Sequence, residues 1–275
     1  MKFGFVLPGG SAQEQLQLGV LADQTGWDGL FVCEVAYGVE PWTLLSGIAQ
    51  RTERIKLGTM LTPLPWRRPW KLASQVATLD QLSNGRAILA VGLGAVDTEL
   101  GSTGEETDRR TRAEMMDEGI DLIRGLWTGT LRFAGRHYTM DMEVRQDFAA
   151  ACKPVQERIP IWVVGAWPRP KSMQRVLRCD GLIPTLATAQ GFDRATPDDI
   201  RAMRAWLVEH GAASPDFDIV SEGETPTDDS AAAAERVRPF SEASSTWWLE
   251  TRWASSEDTR QAHVRARLSA GPPRP

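Results

Sequence analysis

Carboxylates and glycines, rather than histidines, occupy the positions in this sequence where chemistry could take place. The three histidines, His137, His210 and His263, fall outside the segments that follow candidate strands, which argues against a histidine base, a Ser–His–Asp triad or a histidine-rich metal site. The carboxylates that do follow candidate strands are Glu34, Asp97, Glu222, Glu224 and Glu250. They could form an acid–base pair or a magnesium site, but each is more simply explained as a solvated or salt-bridged acid. Because no basic or metal-binding partner accompanies them, we expect a cofactor to carry the chemistry and no metal to be bound.

Two glycine-rich loops could hold such a cofactor. The first, residues 92–97, contains a Gly-x-Gly pair but has Asp97 where a dinucleotide fingerprint needs its third glycine, so a Rossmann site is not supported. The second, residues 165–170, has small residues that would let backbone N–H groups and a following helix approach a phosphate. Arg169 and Lys171 would add positive charge there. A tight turn is the simpler explanation of the glycines in the first loop.

The run after the third candidate strand is rich in proline, arginine and tryptophan. Arg67 and Arg68 stand between Trp66 and Trp70, and together they could clamp an anionic ligand. A solvated arginine pair beside aromatic rings packed on a rim explains the same residues more simply. Trp247 and Trp248 are adjacent on the last candidate strand, so one of them should face the inside of the sheet and the other the helices.

The elements that would position these residues alternate regularly along the chain. Short apolar runs predict eight strands, at residues 2–7, 29–33, 55–61, 87–93, 160–164, 181–186, 216–221 and 246–249. Amphipathic stretches between them, such as the one carrying Met116, Ile120 and Ile123, predict helices. This order favours an α/β fold, a closed (β/α)₈ TIM barrel with an insertion at residues 128–158 between the fourth and fifth units. An open doubly wound sheet is the alternative.

Composition and charge place the chain among ordinary globular proteins. It has 275 residues, a hydrophobic fraction of 42% and a net charge of −5, which give no electrostatic case for nucleic acid or an anionic membrane as a partner. The three scattered cysteines argue against a disulfide framework or a structural zinc site. No signal peptide or membrane-spanning stretch is recognisable. We therefore expect one domain over residues 1–275, located in the cytoplasm.

Several runs resemble the luciferase-like monooxygenase family. They are residues 54–59 (RIKLGT), 70–73 (WKLA), 78–86 (TLDQLSNGR), 90–94 (AVGLG), 160–165 (PIWVVG) and 179–181 (CDG). The resemblance keeps its order over nearly the whole chain and is most specific between residues 54 and 94. It implies a TIM barrel that is often dimeric, with a ring cofactor at the carboxyl ends of the strands, either reduced FMN or the deazaflavin F420.

The resemblance also implies which residues contact that cofactor. Backbone at the end of the third strand would support the central face of the ring, often through a non-proline cis peptide, and the residues there are Thr59, Met60 and Leu61. The loop after the fourth strand would flank the ribityl chain, through Gly94 and Asp97. The loop after the fifth strand would take the phosphate, through Gly165, Ala166, Trp167 and Pro168.

The end of the second strand departs from the family pattern. Many relatives have an acid followed by histidine there, whereas this chain has Glu34 followed by Val35. Either Glu34 is the catalytic proton donor or acceptor, or the chemistry needs no such group, or this member has changed or lost its usual reaction. The sequence leaves these three possibilities open.

The leading hypothesis is an oxidoreductase that acts on a small organic substrate in a pocket made by the loops and the insertion. With FMN it would be a monooxygenase supplied by a partner flavin reductase, and with F420 it would transfer hydride without oxygen. The alternatives are a non-catalytic flavin-binding barrel or structural subunit, and a cofactor-free lyase or hydrolase that uses Glu34 and Glu250. A homodimer is expected by resemblance.

Overall fold

Eight parallel strands close into a barrel in the computed structural model, which describes residues 1–96, 99–143, 145–212, 214, 216–252 and 257–274. The barrel strands are β1 (Lys2–Leu7), β2 (Gly29–Val32), β3 (Lys56–Thr59), β4 (Ala87–Gly92), β5 (Ile161–Trp167), β6 (Gly181–Ala187), β7 (Asp218–Gly223) and β8 (Trp247–Glu250). Each strand pairs with the next, and β8 pairs with β1. The predicted closed barrel is confirmed, and the alternative of an open doubly wound sheet is wrong because no barrel strand has a free edge.

Helices cover the outside of the barrel. They are α1 (Ala12–Gln24), α2 (Pro41–Ala49), α3 (Pro69–Leu82), α4 (Arg109–Trp127), α5 (Gln146–Ala151), α6 (Pro170–Val176), α7 (Pro197–Glu209), α8 (Ser230–Glu242) and α9 (Glu257–Ser269). Local sequence fixes where several of them begin. Thr196 and Asp199 form a reciprocal capping box at the start of α7, and Pro197 is the first residue of the helix. None of the helices in the described ranges is long and apolar enough to cross a membrane.

Alternation along the strands separates two hydrophobic layers. Inward-facing side chains form a cluster in the centre of the barrel, made of Val6, Phe31, Ile88, Ala90, Trp162, Ile183, Val220, Trp247 and Leu249. The centres of the Phe31 and Trp247 rings lie 5.3 and 5.2 Å from that of Trp162, so aromatic rings fill the interior. Trp248 belongs instead to the larger cluster between sheet and helices, as the alternation of adjacent tryptophans predicts.

Three strand boundaries, those of β3, β5 and β7, differ from the sequence prediction in ways that affect the site. β5 extends to Trp167, three residues later than predicted, so Gly165, Ala166 and Trp167 are strand residues rather than loop residues. β3 ends at Thr59, and the chain then forms a short strand, Thr62–Pro63, that pairs with the end of β4. β7 begins at Asp218 and reaches Gly223, two residues later than predicted, because Phe217 still belongs to a turn in which its N–H donates to the carbonyl of Ser214. The shift makes Glu222 a strand residue.

The segment between α4 and β5 packs on the outside of the barrel. Its two short strands, Arg132–Ala134 and Thr139–Asp141, form an antiparallel hairpin whose Tyr138 and Met140 pack on Leu122 of α4. The backbone N–H groups of Val155 and Gln156 donate to the buried Asp80 carboxylate of α3 at 2.8 and 2.9 Å. The Gln156 amide also reaches the carbonyl of Ala87, at the amino end of β4. Val155 and Gln156 therefore lie at the end of the barrel opposite the carboxyl ends of the strands. The expectation that the insertion helps to form the substrate pocket stays a prediction.

Candidate active site

The carboxyl ends of the strands surround a mouth with an apolar floor. Cys33, Met60, Leu61 and Val164 are partly exposed and pack on the central cluster of the barrel. A Cβ atom at Gly92 would lie 2.8 Å from Leu61 Cδ1, so only glycine lets β4 approach this floor so closely. Such a surface is suited to the face of a flat aromatic ring, because apolar side chains exclude water from it.

The end of β3 is held rigidly below this floor. Thr59 and Thr62 are fully buried, and their hydroxyl oxygens are 2.9 Å apart. The peptide bond between Met60 and Leu61 is cis, at the position where the family resemblance leads us to expect one. Thr59, Met60 and Leu61 therefore lie together where the ring contact is predicted, and the contact itself stays a prediction.

Glu34 faces away from the mouth and holds the loop after β3. Its carboxylate accepts hydrogen bonds from Thr62 Oγ1 at 2.9 Å and from Arg67 Nε at 2.5 Å. Arg67 also donates to Glu40 at 3.2 Å. Burial raises the pKa of the Glu34 carboxyl, and the contacts with Arg67 and Thr62 oppose that rise. The position favours a bracing role, while the predicted catalytic role of Glu34 stays a prediction.

The loop after β4 is fastened to α4 and to the loop after β3. Gly94 has φ +79°, and a Cβ atom there would lie 2.3 Å from the Trp66 ring. Arg112 donates to the carbonyls of Leu93 and Gly94, both at 2.8 Å, and its guanidinium lies 5.3 Å from the centre of the Trp66 ring. The glycine is thus required by close packing, and its predicted contact with a ribityl chain is an additional role. Asp97 lies outside the described residues.

The residues of the predicted phosphate loop, three of which lie at the end of β5, divide between the mouth and the helix layer. A Cβ atom at Gly165 would lie 2.2 Å from Leu182 Cδ1, so this glycine serves the packing of β5 between β6 and α6. Trp167 contacts Trp206 of α7, with ring centres 6.4 Å apart. Ala166 alternates with these outward residues, and its N–H already donates to Ser172 Oγ at 2.9 Å. The Trp167–Pro168 bond is cis and Pro168 is exposed. Phosphate contacts by all four residues stay predictions.

An arginine pair lies at the same side of the mouth. The guanidinium carbons of Arg109 and Arg169 are 5.1 and 5.2 Å from the ring centre of the half-exposed Phe192. Burial lowers the pKa of Arg109, and the neighbouring charges of Arg169 and Arg112 lower it further. Within the described part of the chain, neither Arg109 nor Arg169 has a carboxylate at ion-pair distance. Guanidinium groups held close together without an acid form a natural anion site.

Sequence reasoning found one half of this pair. It singled out Arg169 because that residue follows a glycine-rich loop, but it missed Arg109 and Phe192. These residues are far apart in the sequence and no local motif joins them, so only the closed barrel brings them together. Arg194, just after Phe192, extends the positive surface and lies 4.0 Å from Glu222.

Glu250 does not face the mouth. Its side chain is fully buried and accepts hydrogen bonds from the Thr225 N–H and hydroxyl at 2.8 and 2.7 Å. Arg267 of α9 donates to the same hydroxyl at 2.9 Å. Burial raises the pKa of the Glu250 carboxyl, opposed by these hydrogen bonds and by the two nearby arginines. Glu34 and Glu250 both lie outside the barrel interior, so the geometry does not support a cofactor-free lyase or hydrolase that uses them as a pair.

Comparison with known proteins identifies the family. The family model described as luciferase-like monooxygenase matches residues 1–273. This chain belongs to that family. A protein of Mycobacterium tuberculosis named as a coenzyme F420-dependent oxidoreductase is 30% identical over 247 residues, which cover 83% of this chain and 67% of that protein. A second curated relative, the F420-dependent glucose-6-phosphate dehydrogenase of Amycolatopsis mediterranei, is matched over 42% of its length.

Solved structures show the same barrel fold. The coenzyme F420-dependent tetrahydromethanopterin reductase of Methanopyrus kandleri superposes with a TM-score of 0.72 and 16% identity, over 98% of each chain. The oxygenating constituent of 3,6-diketocamphane monooxygenase of Pseudomonas putida, in complex with FMN, gives a TM-score of 0.65 and 21% identity, over 86% of this chain and 70% of that chain. At these identities the similarity to solved structures establishes the fold. The match to the family model establishes the family.

Proposed function

We propose that this chain is an F420-dependent oxidoreductase that transfers hydride to or from a small organic substrate. The observation that carries the proposal is the pair Arg109 and Arg169 at the edge of an apolar mouth. F420 combines a flat deazaflavin ring with a phosphodiester and a carboxylate tail, whereas FMN ends in one phosphate. Several arginines spread along one side of the mouth, Arg194 included, suit an extended anionic tail better than a single phosphate.

The residues around the mouth would divide the work of binding. Met60, Leu61 and Val164 would contact the ring and exclude water from it. Arg109 and Arg169 would bind the anionic part. When bound, the deazaflavin supplies a carbon that donates or accepts a hydride. The name of the Mycobacterium tuberculosis relative supports this cofactor.

Titration of the purified protein with F420 and, separately, with FMN tests the proposal by ring fluorescence. We expect F420 to bind more tightly than FMN, with an affinity that falls as salt rises. Replacing both Arg109 and Arg169 by alanine should weaken F420 binding about 10- to 100-fold, since each charge-assisted contact at an exposed site contributes about 1 kcal/mol. Arg110→Ala is the matched control, because Arg110 lies beside Arg109 on α4 but is exposed and pairs with Glu114.

The outcomes distinguish the candidate functions. Tight binding of FMN alone would replace the proposal by the second candidate, a monooxygenase that uses reduced FMN supplied by a flavin reductase; the FMN complex of the Pseudomonas putida neighbour favours that candidate. Failure of both cofactors to bind below about millimolar concentration would remove the oxidoreductase function. Binding without turnover across alcohols, aldehydes and ketones would support a non-catalytic flavin-binding barrel.

Three further expectations belong to the proposal. A small organic molecule is the proposed substrate, a second copy of the chain is the proposed partner in a homodimer, and the proposed location is the cytoplasm. Sedimentation velocity at micromolar concentration tests the homodimer, and fractionation of the source cells tests the location. A monomer at all concentrations would remove the dimer without affecting the cofactor proposal.

A further inference from the structure

Strand alternation decides which carboxylates reach the inside of the barrel. On β7, Val220 belongs to the central cluster and Ile219 to the outer one, so Asp218 and Glu222 point inward with Val220. The register agrees, because Glu222 pairs with Leu249, which is also in the central cluster. On the described barrel strands, these are the two inward-facing carboxylates.

The two inward carboxylates lie at opposite ends of the barrel. Asp218 is at the amino end of β7, where its carboxylate accepts hydrogen bonds from Trp162 Nε1 at 3.1 Å and Thr246 Oγ1 at 2.8 Å. These contacts place Asp218 beneath the aromatic rings of the interior. Glu222 is at the carboxyl end of β7 and is therefore the one that faces the mouth.

The surroundings of Glu222 suit a group that exchanges protons. Its side chain is 29% exposed, and Arg194, in the connection after the neighbouring strand β6, lies 4.0 Å away. Cys33 at the end of β2 is near enough for the charge of Glu222 to contribute to its raised pKa, after the larger effect of burial. Beyond Glu222, Glu224 lies at the rim, 4.0 Å from Arg252. Glu222 is thus partly shielded from water, faces the mouth, and has a cation nearby.

We propose that Glu222 is the catalytic acid–base residue of this mouth, exchanging a proton with a hydroxyl or carbonyl oxygen of the substrate. The inference rests on the proposed function. In the oxidation of an alcohol, the carbon loses a hydride with both bonding electrons to F420, and the hydroxyl proton passes to a carboxylate oxygen of Glu222. The products are a carbonyl compound, reduced F420 and neutral Glu222. In the reverse direction, neutral Glu222 protonates the oxygen as the carbonyl carbon accepts the hydride.

This assignment also fits the end of β2. Val35, which follows Glu34 there, is 45% exposed and has no group that could exchange a proton. Glu34, beside it, is committed to Arg67 and Thr62. Glu222 approaches the mouth from β7, on the other side of β1, and provides the proton-exchanging group that the second strand lacks.

Proton uptake on cofactor binding tests the inference without any substrate. Covering a carboxylate with an apolar ring favours its neutral form, so binding of F420 should be accompanied by uptake of a fraction of a proton between pH 5 and 7. Isothermal titration calorimetry in buffers of different ionisation enthalpy measures that fraction. We expect the proton uptake to fall in Glu222→Gln and to remain at the wild-type value in Glu224→Gln. Ionisable groups of F420 itself contribute equally to all three proteins, so they do not affect this comparison.

Two results would overturn the inference: an unchanged proton count in Glu222→Gln that binds F420 normally, or an equal loss in Glu224→Gln. Absence of F420 binding in the wild type would instead refute the proposed function, and the inference with it. Alkylation of Cys33 in the free protein provides a check on placement. Glu222→Gln should accelerate it a fewfold relative to the exposed Cys152 in the same digest, because a neighbouring negative charge is removed. An unchanged rate would mean that Glu222 does not face Cys33.

Discussion

Glu34→Gln should separate the bracing role of this residue from any chemical one. Glutamine keeps an oxygen for the Thr62 hydroxyl but removes the charge opposite Arg67. Truncating one partner of a fully buried ion pair costs about 3–5 kcal/mol, whereas exposed pairs contribute about 0–1 kcal/mol. The Glu34 side chain is 4% exposed and that of Arg67 is 26% exposed, so this pair lies between the two limits.

The second partner of Arg67 reduces the expected loss further. Glu40 stays 3.2 Å from the guanidinium after the substitution, so Arg67 is left with one carboxylate rather than none. We therefore expect the free energy of unfolding to fall by about 2 kcal/mol in Glu34→Gln. Urea denaturation followed by tryptophan fluorescence and circular dichroism would measure it, provided the two signals change together.

A double-mutant cycle with Arg67→Met isolates the interaction. If Glu34 stabilises the protein through Arg67, the two single losses should exceed the loss in the double variant by at least 1 kcal/mol. A coupling below about 0.5 kcal/mol would refute the bracing role. Glu34 would then be available for the catalytic function that the sequence predicts.

Further substitutions and one modification test other parts of the structure. Gly165→Ala should destabilise the protein by about 1–3 kcal/mol in thermal unfolding, because the new methyl group would collide with Leu182; loss of cofactor affinity at full stability would contradict this packing role. Asp80→Asn should lower the free energy of unfolding by about 2–3 kcal/mol in urea denaturation, because the N–H groups of Val155 and Gln156 lose a charged, buried acceptor. A loss under about 0.5 kcal/mol would contradict that role. Burial raises the pKa of the Cys33 thiol to about 12, so iodoacetamide should modify Cys33 far more slowly than the exposed Cys152 at pH 8. The rate at Cys33 should increase progressively as the pH rises toward 12. Equal rates at pH 8 would refute the burial of the thiol.

The sequence predicted the barrel because its signals are local. Each strand and each helix has its own apolar pattern, and eight repetitions in order leave few ways to arrange them. Adjacent tryptophans, Trp247 and Trp248, had to face opposite sides of β8 for the same reason. Segment ends were harder to place, since the turn at Phe217 that delays β7 is formed by a backbone hydrogen bond to Ser214.

The candidate site was only partly predictable because its decisive features depend on alternation and closure. Glu34, Glu222 and Glu250 all stand at strand ends, and a shift of one residue in register reverses which of them faces the mouth. With β7 predicted at residues 216–221, Glu222 would be a loop residue of unknown direction. The contact of Arg109 and Arg169 with Phe192 needs the connections after three neighbouring strands to meet on one side of the mouth, which no spacing in the sequence records.

The position of the arginines gives the molecule an electrical asymmetry with kinetic consequences. The chain carries a net charge of −5, yet Arg109, Arg169 and Arg194 are gathered on one side of the mouth. A diffusing anion would be attracted toward this side of the mouth before any contact forms. Association of the anion would then depend on electrostatic steering. The association rate constant should decrease with ionic strength more steeply than the dissociation rate constant changes.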